Sequence, residues 1–457
     1  MLTFFNGGKG RYCDGLSRRS FLKAGTLAIG GLTLADVLRL RDTQALAADA
    51  PASATPAPTR SNKSVIMICL GGGASHLDTY DMKPGAPSEF RGELQPMRSS
   101  VPGMEMCELL SEQAKIADKF SVVRSATWVE PDHQRIEIFT GFPKRTRRPS
   151  FGSIVSRLGN GPDAMPKFVS LSGDDQEIAT AEDPMWVGAQ HRAFVPKAQG
   201  LKSLELNKGV DLSRLRDRKA LLDALDDIRR DVDATGQMGA MDAYTAQALD
   251  MVASGKARRA LDITEEPEDV LERYSAGGSK FQYNRNEAFW DWQAFVRARR
   301  LVEAGVPFVS MQVGLWDHHC NPGGGSIFEG YRTLLPLYDR CLSALIQDLH
   351  ERGLSDDVCV VAWGEFGRTP KINPAGGRDH WPGAGCVLFS GGGLKMGQYV
   401  GATDARGENP ITRPYNPQNV LATLYHVLGI DPGKTLPDFS GRPNYLLDDR
   451  DLIAELV

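Results

Sequence analysis

The sequence predicts an α/β protein: a doubly wound, mostly parallel sheet with helices on both faces, plus a helical insertion. Three observations carry this expectation. Short apolar runs end in glycine or polar clusters, as in Val65–Leu70 followed by Gly71-Gly72-Gly73, which is how a strand buried on both faces reads. Helix-period segments alternate with these runs, and such alternation favours a parallel sheet covered on both sides. The chain has 457 residues, 41% of them hydrophobic and 24% charged, the composition of an ordinary globular protein.

Taken in order, the chain opens on Ser17-Arg18-Arg19-Ser20-Phe21-Leu22-Lys23, an apolar stretch from Ala24 to Ala35, and the small-x-small site Ala45-Leu46-Ala47. This is the pattern of a twin-arginine export signal over residues 1–47, and its apolar stretch is shorter than the roughly 20 residues a membrane span needs. The expected location is therefore periplasmic or extracellular, with no stable membrane span in the mature form. Residues 48–63 are rich in Pro, Ala and Thr without apolar periodicity and read as a flexible linker. The α/β domain then runs from 64 to 457. Its expected strands are Val65–Leu70, Phe120–Arg124, Phe168–Leu171, Pro307–Val313, Val358–Trp363 and Cys386–Phe389, with helices such as Glu287–Ala304 and Phe328–Leu349 between them. The stretch from about 200 to 275 is highly charged, helical in pattern (Leu212–Asp231, Met241–Ala253) and poor in strand-type runs, and is expected to be the insertion.

Charge and cysteine content exclude several classes. The formal net charge is −4, and the leader carries seven Lys/Arg against three Asp, so its removal leaves a still more acidic chain. That balance opposes a nucleic-acid role based on global electrostatics. Seven scattered cysteines do not form a disulfide scaffold. Gly71-x-Gly73 lacks the third glycine of a dinucleotide fingerprint, Ser75 lacks the glycine of a nucleophile elbow, and no H-E-x-x-H pair occurs.

The chemistry-bearing residues collect after three expected strands, where ligands of α/β sheets sit. They are Ser75-His76-Leu77-Asp78, then Trp316-Asp317-His318-His319-Cys320, and then Gly364-Glu365-Phe366-Gly367-Arg368 with Gly377-Arg378-Asp379-His380. Four of the eight histidines fall in these stretches, each beside a carboxylate. A single such pair is usually a surface pair, but three at successive strand ends point to a metal centre. Imidazole with carboxylate suits Zn, Mn or Fe, whereas Ca and Mg prefer oxygen donors alone.

The segments GGGASHLDTYDMKP, RARRLVEAGVPFVSMQVGLWDHHCN, LIQDLHERGLSDDVCVVAWGEFGRTPKIN and GGRDHWP resemble the secreted bacterial family DUF1501, placed in the alkaline-phosphatase and sulfatase-like superfamily. The resemblance runs from about Val65 to Leu447 and implies the doubly wound fold with a metal-dependent ester-hydrolase ancestry. Residue by residue, it implies Asp317, His319, Glu365 and His380 as metal ligands, with Phe366 standing where an imidazole or amide would be. At the first strand end it implies His76 or Asp78, Asp78 being the better match. The metal is expected to be Zn or Mn, with Ca or Mg as alternatives. Pro131–Gly141 resembles the helix that carries the superfamily's nucleophile, and Arg135 matches its arginine, the group expected to hold an anion. The nucleophile position itself is Pro131, which suits a helix start and cannot attack. Three options stay open: Thr127 or Ser125 attacks from the preceding strand end, metal-activated water attacks with His133 as general acid/base, or catalysis has been lost. Lys144-Arg145-Thr146-Arg147-Arg148 offers either steering of anionic substrates or a solvated loop. The expected function is thus an exported metal-dependent hydrolase-like protein acting on sulfate or phosphate esters, including those of sulfated polysaccharides. The alternative is an inactive envelope protein that binds polysaccharide or a protein partner.

Overall fold

The computed structural model describes residues 63–162, 165–173, 175–196, 254–275, 277–320 and 326–457. The leader, most of the linker and the segments Leu212–Asp231 and Met241–Ala253 lie outside the described residues. Seven strands make the central sheet: β1 (Ser64–Cys69), β2 (Phe120–Ala126), β3 (Phe168–Ser170), β4 (Phe308–Gln312), β5 (Val358–Trp363), β6 (Gly385–Gly391) and β7 (Tyr399–Val400). Their order is β7-β2-β6-β5-β1-β4-β3. All pairs are parallel except those of β6, which runs against both β5 and β2.

The near-continuous apolar runs of β1 and β5 follow from their central position, where both faces are covered. Alternate residues go to opposite sides. Ile66, Ile68, Val360 and Ala362 join one core, while Val65, Met67, Val361 and Trp363 join the other. The first core is completed by α3 (Gln293–Glu303) and α4 (Ile327–Glu351). The second is completed by α1 (Ile136–Thr140), α2 (Phe151–Leu158) and α5 (Pro417–Val427). Start signals are legible in the chain: Ser326 and Glu329 form a capping box for α4, and Asn416 caps α5 ahead of Pro417. Among the described residues no helix is long and apolar enough to cross a membrane.

Three expectations change. The strand at Cys386–Phe389 is antiparallel, and the two-residue β7 was not foreseen. The helix expected over Glu287–Ala304 begins only at Gln293, because Lys280–Tyr283 and Asn286–Phe289 pair as a hairpin. That hairpin docks on α4 through Gln282 N–H donating to Thr333 Oγ1 at 2.8 Å, a tertiary contact that overrides local helical pattern. Of the expected insertion, the described part 254–275 contains the short helices Lys256–Leu261 and Glu268–Ser275. Between them, Glu266 pairs with buried Arg299 of α3 at 2.6 Å.

One buried carboxyl ties the core to pH. Burial pushes Glu182 up to about 7, against the opposing hydrogen bonds of Ser310 and Ser170. Below the ordinary carboxyl value both folded and unfolded chains hold the proton. Between that value and 7 only the unfolded chain releases it, so stability falls as pH rises and the full cost is present above 7. The cost is about 3 kcal/mol. Glu182→Gln is therefore expected to gain stability relative to wild type as pH rises from 4 to 8 in denaturant unfolding. A difference independent of pH contradicts the assignment.

Candidate metal centre

The loops after β1, β4 and β5 are packed so closely that glycine is required between them. A Cβ on Gly72, which has φ +100°, would lie 2.5 Å from Asp317 N. The Gly71-Gly72-Gly73 run thus lets the segment after β4 cross directly over the end of β1.

At this crossing one ligand atom each from His133, Asp317, His319 and His380 lies within 4.8 Å of the others. His319 Nε2 is 2.9 Å from Asp317 Oδ1 and 2.9 Å from His380 Nε2. His380 Nε2 is 3.4 Å from the same carboxylate oxygen. His133 reaches Asp317 Oδ2 at 3.5 Å and Glu365 Oε1 at 3.2 Å. Glu365 is buried, accepts from Gly72 N–H at 2.8 Å, and keeps its other oxygen without a hydrogen-bond partner.

The far side of each imidazole decides what the near side can do. His380 Nδ1 lies 2.6 Å from the carbonyl of Pro131, and His319 Nδ1 lies 2.7 Å from Asp379 Oδ1. Both partners are acceptors, so both Nδ1 atoms carry the proton and both Nε2 lone pairs face inward. Two lone pairs and a carboxylate oxygen then converge on one point, an arrangement that calls for positive charge between them. The same pull acts on His133, whose hydrogen bonds to Asp317 and then Glu365 raise it to about 9. Burial works against ionisation of Asp317, but hydrogen bonds from His133 and Arg368 outweigh it and hold the carboxyl well below its usual range. The residues fit a divalent cation, and the nitrogen-rich donor set suits Zn or Mn better than Ca or Mg.

The structure brings together Asp317, His319 and His380, with Glu365 alongside. His133, expected as a general acid/base, sits within the ligand group itself. His76 and Asp78 are not brought there. His76 Nε2 is held by Gly407 O at 2.8 Å, and Asp78 forms a fully buried ion pair with Arg378 at 2.7 Å. Arg135 does not present a free guanidinium: it is buried among Glu177, Asp175 at 3.9 Å and Glu365 at 3.8 Å. Thr127, half-buried just past β2, bonds through its N–H to Tyr415 O at 2.9 Å and is not among the residues meeting at Asp317. Ser125 is buried beside Gly401. Phe366, where an imidazole or amide was expected, stacks on His380 with centroids 4.1 Å apart. In the basic segment, Arg148 lies over Phe142 and near Asp448 at 3.7 Å, while Lys144, Arg145 and Arg147 are exposed. Cys320 is buried with its thiol toward His318 O. Sequence reasoning missed Asp379 and Arg368 as partners of the group. Asp379 was detectable, since it directly precedes His380; the carbonyl of Pro131 was not, since a backbone acceptor has no side-chain signature.

Fold and site together define an α/β protein with a cluster of three imidazoles and a carboxylate, a group that could hold a metal ion, at the carboxyl edge of its sheet. Residues 62–457 match the family described as protein of unknown function (DUF1501), and the chain belongs to that family. Among curated proteins none matches it in sequence. Solved structures similar to it include the lipoteichoic acid synthase LtaP from Listeria monocytogenes, at 11% identity and TM-score 0.34, covering 86% of this chain and 88% of that one. Another is the PsFucS1 sulfatase from Pseudoalteromonas sp., at 11% identity and TM-score 0.35, covering 86% of this chain and 70% of that one. A third is an alkaline phosphatase superfamily protein from Vibrio parahaemolyticus, at 11% identity and TM-score 0.34, covering 82% and 69%.

Proposed function

We propose that this chain is an exported, metal-dependent hydrolase of sulfate or phosphate esters, with anionic esters or sulfated polysaccharides as substrates. The observation that carries the reading is the convergence of the Asp317 carboxylate and the inward Nε2 atoms of His319 and His380 on one point. Asp317, His319, His380 and His133 would hold the cation, with Glu365 next to them. When bound, a divalent cation polarises an ester oxygen and lowers the pKa of water, which supplies the chemistry that Pro131 cannot. The chain's own residues prepare for this. Asp379 and Pro131 fix the tautomers of His319 and His380, Phe366 covers one face of His380, and His133, flanked by Asp317 and Glu365, would give up its proton on taking the cation. The leader motif supports an exported location, in the periplasm or outside the cell.

One set of observations favours a second reading, an inactive envelope protein binding polysaccharide or a protein partner. The ligand group contains no hydroxyl or thiol, and Arg135 is surrounded by three carboxylates rather than open to an anion. Aryl sulfate, phosphate monoester and phosphodiester substrates, each assayed with Zn, Mn, Mg or Ca, separate the two. The hydrolase reading expects turnover on at least one substrate, lost on chelation. Absence of turnover on every combination, with the metal site demonstrably filled, overturns the hydrolase reading.

A further inference from the structure

We infer that Arg368 is a positioning residue that holds the Asp317 carboxylate in its ligand orientation, an inference that rests on the metal-site reading above. Arg368 is fully buried, and its guanidinium is clamped by backbone carbonyls from two separate loops. Nε donates to Gly73 O at 3.0 Å, Nη1 donates to Arg378 O at 2.9 Å, and Nη2 donates to Gly72 O. These acceptors belong to the main chain and cannot swing away, so the plane of the guanidinium is set before Asp317 is considered. Its remaining donor capacity faces the centre, with Nη2 2.5 Å from Asp317 Oδ1 and Nη1 3.4 Å from His319 Nε2.

The clamp continues one step further back. Arg378, whose carbonyl holds Arg368, is itself fully buried and fixed by Asp78 at 2.7 and 3.2 Å and by Phe90 O at 2.7 Å. A line of buried groups thus runs from Asp78 through Arg378 and Arg368 to Asp317. This gives Asp78 a place in the molecule that its position after β1 did not reveal: it anchors the scaffold behind the centre.

Two effects of Arg368 on a bound cation oppose each other. Its charge repels the cation, while its hydrogen bond fixes a carboxylate whose side chain is 30% exposed. That carboxylate's other charged-group contacts among the described residues are the imidazoles of His133, His319 and His380, and Arg368 ties it through one guanidinium to main-chain carbonyls of two loops. Groups that orient a ligand typically contribute 10–100-fold to metal affinity, and this orientation outweighs the repulsion. A lysine carries the charge but not the planar fork, so it cannot span both loops and Asp317 at once.

Zn²⁺ affinity, measured by calorimetry against a competing chelator, tests this in a cycle of wild type, Arg368→Met, Asp317→Ala and the double variant. Arg368→Met is expected to weaken Zn²⁺ binding by about 10–100-fold and to weaken Asp317→Ala no further. Arg368→Lys is expected to fall between wild type and Arg368→Met, and it carries the same cycle if Arg368→Met does not fold. Wild-type affinity in folded Arg368→Met, or an equal loss in the Asp317→Ala background, overturns the inference and leaves the metal site standing. If the wild-type chain itself binds no Zn²⁺, the metal-site reading falls and this inference with it.

Discussion

Asp317→Ala is expected to lose divalent-metal binding by at least about 100-fold, beyond what removal of a group that merely orients a ligand does. The reason is that Asp317 is the one carboxylate of the group and contacts each of its three imidazoles. Its Oδ1 faces His319 and His380, and its Oδ2 faces His133. Without it, the three imidazoles lose the carboxylate they share, and Arg368 loses its carboxylate partner. Any ester-hydrolysing activity is expected to fall with the metal. Replacing Asp317, His319, Glu365 and His380 together is expected to abolish binding by metal analysis of the purified protein. A quadruple variant that retains the wild-type metal content refutes the site.

The largest effect on stability is expected from Arg378→Met. The Arg378–Asp78 pair has both side chains fully buried, and Asp78 also accepts from Ser75 Oγ at 2.5 Å. Removing the guanidinium leaves a carboxylate in the interior without its counter-charge and strips donors from the carbonyls of Phe90, Thr369 and Pro370. Breaking one side of such a pair costs about 3–5 kcal/mol, whereas replacing both partners recovers much of it. Denaturant unfolding should therefore show Arg378→Met strongly destabilised and Arg378→Met/Asp78→Asn less so. Equal stability of Arg378→Met and wild type contradicts the pair's role.

The same pair explains what the sequence shows of this protein and what it conceals. The strands were legible because central strands must be apolar on both faces, and each expected run has its counterpart in the sheet. The direction of β6 was not legible, because antiparallel and parallel strands buried on both faces have the same composition. Asp317, His319 and His380 could be nominated because they follow strands that end at one edge of the sheet. By that rule His76 and Asp78 qualified equally. What separates them is a partner far along the chain: Arg378 for Asp78 and the Gly407 carbonyl for His76. Likewise, the resemblance implied that Arg135 holds an anion, and nothing local announces the Glu177, Asp175 and Glu365 that surround it. Residue type and spacing identify groups capable of chemistry; their charge partners across the fold decide which of them remain available for it.

Anomalous diffraction at the absorption edge of Zn or Mn, on crystals grown with that metal, tests the central claim most directly. The account predicts one ion with Asp317, His319 Nε2 and His380 Nε2 all within about 2.5 Å, the reach of ordinary coordination. An ion bound elsewhere with these three side chains outside its coordination shell contradicts it.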